Sequence, residues 1–136
     1  MRVLFDTNVI LDVINRREPF IQDSYKALRI AYDVCTPCVS TTTITDVVYI
    51  TRKAFADSGK QKSLLQDFFS DFKILAVSKN QIKRAFIAPM TDFEDAVQAF
   101  CAKQYGAKFI ITRNIVDFKL SPVTAVAPAD FLRQFS

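Results

Sequence analysis

Apolar residues fall into two rhythms along this chain. Val3-Leu4-Phe5 is a short unbroken run that stops at Asp6-Thr7-Asn8, and Val9, Ile10, Val13 and Ile14 then recur at helical spacing. A brief β-branched and aromatic run, a polar break and an amphipathic stretch predict a buried parallel strand feeding a helix. Asp6 is then expected at the carboxyl end of that strand, the edge of an open α/β sheet where ligands bind. A carboxylate in such a place needs donors or a cation, because an unpaired buried charge is costly.

The same alternation continues. Arg16-Arg17-Glu18-Pro19 interrupts the pattern, and Pro19 suits the start of a second helix over residues 20–32. Residues 34–39 read as a second strand, with Pro37 at its start or at an irregularity. Ser40 to Thr43 offer N-caps for a helix reaching about residue 56, with Ile44, Val47, Val48 and Ile50 inward. After a turn at 57–60, residues 61–72 predict an amphipathic helix with Leu64, Leu65, Phe68, Phe69 and Phe72 on one face. Residues 73–77 form a third strand and 80–87 a short helix. Thr91 and Glu94 have capping-box spacing for a helix that closes at Gly106. Residues 108–112 are the fourth strand, 124–127 a shorter fifth, and 129–134 a last helix behind Pro128. The expected fold is a three-layer α/β/α sandwich around a parallel sheet of four to five strands, one domain over residues 1–136.

Composition narrows the chemistry chiefly by absences. The 136 residues contain no histidine, which excludes Ser/His, Cys/His and His-ligated metal mechanisms. Two glycines, Gly59 and Gly106, cannot build a phosphate loop or dinucleotide fingerprint. Cys35, Cys38 and Cys101 read as small buried hydrophobes of a reducing compartment. No run reaches the ~18 apolar residues of a membrane span, and the N-terminus lacks a signal-peptide pattern, so a cytoplasmic protein is expected. A net charge of +4 tilts toward an anionic partner such as nucleic acid.

What remains is oxygen chemistry. Asp6 ends strand one, Asp46 lies about two turns into the helix after strand two, Asp95 opens the helix before strand four, and Asn114 and Asp117 follow strand four. One edge of the sheet can gather all five. Oxygen ligands without histidine or thiolate suit a hard divalent cation, Mg²⁺ or Mn²⁺, in an open site shared with phosphate. Asn8 and Thr112 are candidates for orienting the carboxylates. Asp12 is expected to face solvent. Mutual repulsion predicts that Asp6→Asn and Asp95→Asn both raise metal-free stability.

Phe5-Asp6-Thr7-Asn8 with Asp12, the Asp46 helix, Asp92-Phe93-Glu94-Asp95-Ala96, Thr112-Arg113-Asn114 with Asp117-Phe118, and the ending Pro128-Ala129-Asp130-Phe131-Leu132 together resemble the PIN-domain nucleases. The branch they resemble is that of small VapC-like toxin ribonucleases. The resemblance implies a Mg²⁺- or Mn²⁺-dependent endoribonuclease acting on RNA, usually a homodimer, inhibited by a cognate antitoxin protein. By position Asp6 and Asp95 match the family's best-defined metal ligands. Asp46 stands where many members have Glu, and Asn114 where Asp is frequent, so Asp117 is expected to supply part of the missing charge. Arg113 is the expected RNA contact, with Arg16, Arg17, Arg52, Lys53 and Lys119 as further phosphate contacts. The rival reading is a PIN-like module that binds RNA or protein without turnover.

Overall fold

A computed structural model, which describes residues 1–135, contains a five-stranded, all-parallel sheet. The strands are β1 (Arg2–Phe5), β2 (Thr36–Ser40), β3 (Lys73–Leu75), β4 (Phe109–Ile111) and β5 (Thr124–Val126), in the order β3-β2-β1-β4-β5. Around them lie α1 (Thr7–Ile14), α2 (Ile21–Val34), α3 (Thr41–Thr51), α4 (Ser58–Phe69), α5 (Lys79–Ile87), α6 (Phe93–Gln104) and α7 (Pro128–Arg133).

The period-2 pleat of β1 divides the core. Val3 and Phe5 face a cluster with Val39 and Ile111 that α1, α2, α3, α4 and α7 cover. Leu4 points the other way, to Cys38, Ile110 and the small residues of α6, among them Ala96, Ala99 and Ala102. The small side chains let α6 lie close to the sheet, and α5 packs beside it. Three layers result, as the apolar rhythm predicts.

Several boundaries shift, each for a local reason. Residue 34 extends α2 instead of opening the second strand, and β2 runs on to Ser40, whose hydroxyl caps α3 by accepting from Thr43 N at 3.2 Å. The second helix starts at Ile21, two residues past Pro19. In α3 the buried stripe is Thr43, Val47 and Thr51, four residues apart, which leaves Ile50 nearly half exposed instead of inward. In α4 the same spacing buries Gln61, Leu65 and Phe69 and turns Leu64 outward. Phe72 lies beyond the helix end yet joins its aromatic cluster, 5.6 Å from both Phe68 and Phe69. Asp92, not Thr91, caps α6: its carboxylate accepts from Asp95 N at 2.9 Å. Asp12 is fully buried, contrary to the solvent-facing position expected from α1's periodicity.

The strand order places a switch point between β1 and β4. Connections from β1 run outward to β2 and β3, then the chain returns to β4 and continues to β5 on the far side. Loops diverge there and leave a crevice at the carboxyl ends. Parallel register pairs Phe5 with Ile111, so Asp6 and Thr112 leave the sheet side by side.

Candidate active site

Asp6 is the best-served carboxylate in the crevice. Oδ1 accepts from Thr7 N (2.9 Å) and from Gln98 Nε2 (3.1 Å). Oδ2 accepts from Thr112 Oγ1 (2.8 Å) and Asn8 Nδ2 (3.3 Å). Asp6 thus caps α1 and is also held by α6 and by the residue following β4. Asn8 and Thr112, the two expected orienting groups, both reach it. Thr112 in turn accepts from Asn114 N at 3.0 Å, and Asn8 Oδ1 accepts from Arg113 N at 3.4 Å, which folds the post-β4 loop back onto α1.

This network splits two residues expected to behave alike. An asparagine at position 6 would turn an NH₂ toward groups that already donate. Asp6→Asn is therefore expected to lower metal-free stability by about 1–3 kcal/mol, the cost of leaving buried partners unmatched. A thermal melt in chelator that shows an unchanged or raised midpoint would mean the network contributes little.

Asp95 is the opposite case. It sits one turn into α6, 9% exposed, and among the described residues no protein group donates to its carboxylate. Burial first, then the charges of Asp6, Asp92, Asp117 and Glu94, push its pKa from the usual 3.8 up to about 7. The α6 N-terminus favours negative charge nearby but only in part offsets this burial and repulsion.

The cleft between them, about 270 Å³, is also lined by Asp46, Asp92, Glu94, Asn114 and Arg17. Burial raises the pKa of Asp46. Glu94 is raised chiefly by the facing Asp46, then by burial, Asp92 and Asp6. Glu94 and Asp92 read from sequence as helix-start residues, yet they belong to this wall. Gln98, three residues after Asp95 and so on the same helical face, was also missed, because one amide in Ala96-Val97-Gln98-Ala99 gives no periodic signal.

Asp117 does not line the cleft. It lies exposed on a short 3₁₀ turn, Ile115–Phe118, and acts on Asp95 through space. Arg113 turns away as well. Its guanidinium donates to both oxygens of Asp12, from Nε at 2.8 Å and Nη2 at 3.1 Å, and lies 3.8 Å over the Phe20 ring. Ser24 Oγ donates to the same carboxylate at 3.1 Å. The arginine expected to meet RNA is engaged in a largely internal ion pair, and Arg17 is the cation at the cleft.

An excess of acids, a cleft-facing carboxylate that no described protein group donates to and an all-oxygen donor set fit a hard cation. Among the described residues no three Asp, Glu or Cys side chains come close enough together to hold a metal ion between them. An open site of this kind suits an ion that keeps several of its waters.

Comparison with known proteins agrees with this architecture. The chain superposes on VapBC2 from Rickettsia felis, solved bound to a promoter DNA fragment, with TM-score 0.73 and 20% identity over 93% of this chain and 98% of that one. A toxin–antitoxin complex from Klebsiella pneumoniae gives 0.74 and 24% over 93% and 97%. FitAcB from Neisseria gonorrhoeae gives 0.70 and 18% over 93% and 98%. At these identities the likeness shows the shared fold. No curated protein sequence matches the chain. The sequence pattern of the PIN domain, however, matches residues 2–116, a span that holds β1, the Asp6 network, α6 and the post-β4 loop. On that match over most of its length, this chain belongs to the PIN-domain family.

Proposed function

We propose that the chain is a Mg²⁺- or Mn²⁺-dependent endoribonuclease that hydrolyses RNA phosphodiesters as the toxin of a toxin–antitoxin pair. The observation that carries this reading is Asp95: a largely buried residue whose carboxylate opens to the same cleft as Asp6 and takes no hydrogen bond from a described protein group. Asp6 and Asp95 would hold the ion, with Asp46 and Asn114 on the surrounding walls and Asp117 adding charge from outside. When bound, such an ion polarises a phosphoryl oxygen, lowers the pKa of a water and neutralises charge developing in displacement. The protein's part is to keep Asp6 in one orientation through four donors and to leave Asp95, without a protein donor, facing the cleft. Arg17, the one cation among the described residues lining the cleft, is placed to meet a phosphate oxygen, while Arg113 supports the loop that carries Asn114.

Support for a protein inhibitor comes from the Klebsiella structure, a toxin–antitoxin complex of the same fold. A cognate antitoxin, a homodimeric assembly and a cytoplasmic setting are parts of this proposal. No described helix is long and apolar enough to cross a membrane. The rival, binding without turnover, draws on Asn114, uncharged where an acid would strengthen the site.

The test is cleavage of a generic single-stranded RNA by the purified chain, with Mn²⁺ and with chelator. Cleavage confined to the metal-containing reaction is expected; intact RNA in both would favour the rival. Metal binding also carries a sign in pH. The ion must displace the proton that Asp95 holds up to about 7. Mn²⁺ affinity is thus expected to rise about tenfold per pH unit up to that point and then flatten. Calorimetric titrations between pH 5.5 and 8.5 check it, and a flat profile would remove Asp95 from the ligand set.

A further inference from the structure

Gln98 is 3% exposed and lines the acidic cleft. Its Nε2 donates twice, to Asp6 Oδ1 at 3.1 Å and to Thr43 Oγ1 at 3.0 Å. Flipping the amide would set its oxygen against the Asp6 carboxylate, acceptor to acceptor, so the orientation is fixed by chemistry. Ser40 Oγ also donates to Thr43 Oγ1, at 3.4 Å, which leaves the Thr43 hydrogen for Thr7 Oγ1 at 2.9 Å. Both Gln98 hydrogens are therefore committed. Its Oε1 is the one buried side-chain polar atom among the described residues with no partner.

A buried amide oxygen without a donor is costly, and Gln98 lies one helical turn from Asp95 in the same cleft. A water polarised by a cation is a strong donor of the kind that oxygen lacks. We propose that Gln98 is a positioning residue of this cleft, its N–H holding Asp6 and its carbonyl oxygen accepting from a water carried by the cation at Asp6 and Asp95. The proposal rests on the metal-dependent reading above and adds what that reading leaves open: why a neutral amide stands among acids. A third carboxylate there would bind the ion but would repel Asp6 at contact distance in its absence. The amide fixes the ligand without adding charge.

Two measurements test it without relying on cleavage. In the wild-type chain, Mg²⁺ titration followed by NMR is expected to shift the Gln98 side-chain amide in step with saturation. The buried Gln61 amide, bonded to Val48 O (2.8 Å) and Thr51 Oγ1 (3.0 Å), should stay in place. In Gln98→Met, close in size but without donor or acceptor, Mn²⁺ affinity is expected to fall about tenfold or more, the range for groups that orient metal ligands. Thr51→Val, which removes a buried hydrogen-bonding hydroxyl elsewhere, should leave that affinity unchanged. Wild-type Mn²⁺ affinity in Gln98→Met, or a Gln98 amide unmoved at saturating Mg²⁺, overturns the proposal while leaving the metal reading intact. Absence of Mn²⁺ binding by the wild-type chain would bring down both.

Discussion

Asp95→Asn is expected to abolish metal-dependent cleavage and, in chelator, to make the protein more stable. The first effect follows from removing one of two carboxylates placed to hold the ion, with a loss of at least about a hundredfold in rate. The second follows from the donor-free environment of Asp95. A carboxyl held near 7 rather than 3.8 binds its proton more tightly in the folded chain than in the unfolded one. Between about pH 4 and pH 7 the folded state therefore carries the extra proton, and metal-free stability falls as pH rises through that window. The full cost at pH 8 is on the order of 4 kcal/mol, part of which water in the open cleft relieves. Asparagine is neutral throughout. The two melting curves should coincide near pH 4 and separate by several degrees at pH 8, with the variant higher. Saturating Mn²⁺ should reverse the order, because only the wild type gains from the ion. A variant that melts below wild type in chelator at pH 8 would make Asp95 a structural carboxylate.

Arg113→Ala is expected to destabilise the fold by about 3 kcal/mol, the lower end for removing one partner of a buried ion pair. Asp12 is wholly buried and would keep only the Ser24 hydroxyl. The loss includes the guanidinium's contact with the Phe20 ring, worth about 0.5–1 kcal/mol at a partly exposed position. Asp12→Leu combined with Arg113→Met should recover most of the stability, since apolar groups of similar volume can replace such a pair. Urea unfolding of the two single variants and the double variant gives the coupling directly. A single-variant loss under about 1 kcal/mol would show that solvent screens the pair.

These two residues mark where sequence stops being sufficient. The order of strands and helices was legible because each apolar run carries its own period, and the sheet-edge position of Asp6 follows from a local strand-to-helix break. The fate of Asp12 is not local. It is buried because Ser24 and Arg113, 12 and 101 residues away, bring it three hydrogen bonds. On periodicity alone it looks like a solvent-facing helix residue, and Arg113 looks like a free cation. The cap of α6 failed on a finer scale: Thr91 and Asp92 are both good cappers, and backbone geometry selects the aspartate. Asp6 and Asp95 seemed equivalent as paired acids. Only the donors around each separate a satisfied carboxylate from a bare one, and the four donors to Asp6 come from three segments: α1, α6 and the residue after β4.

The hydrogen bond between Asp6 and Thr112 spans 106 residues of sequence. A ribosome making this chain releases the central strand before either of its neighbours, and β2 and β3 are both made before β4, its partner on the other side, exists. Until then Asp6 has no Thr112 to aim it. A nascent or stalled fragment that ends before β4 therefore carries Asp6 without the Thr112 hydroxyl that fixes its Oδ2.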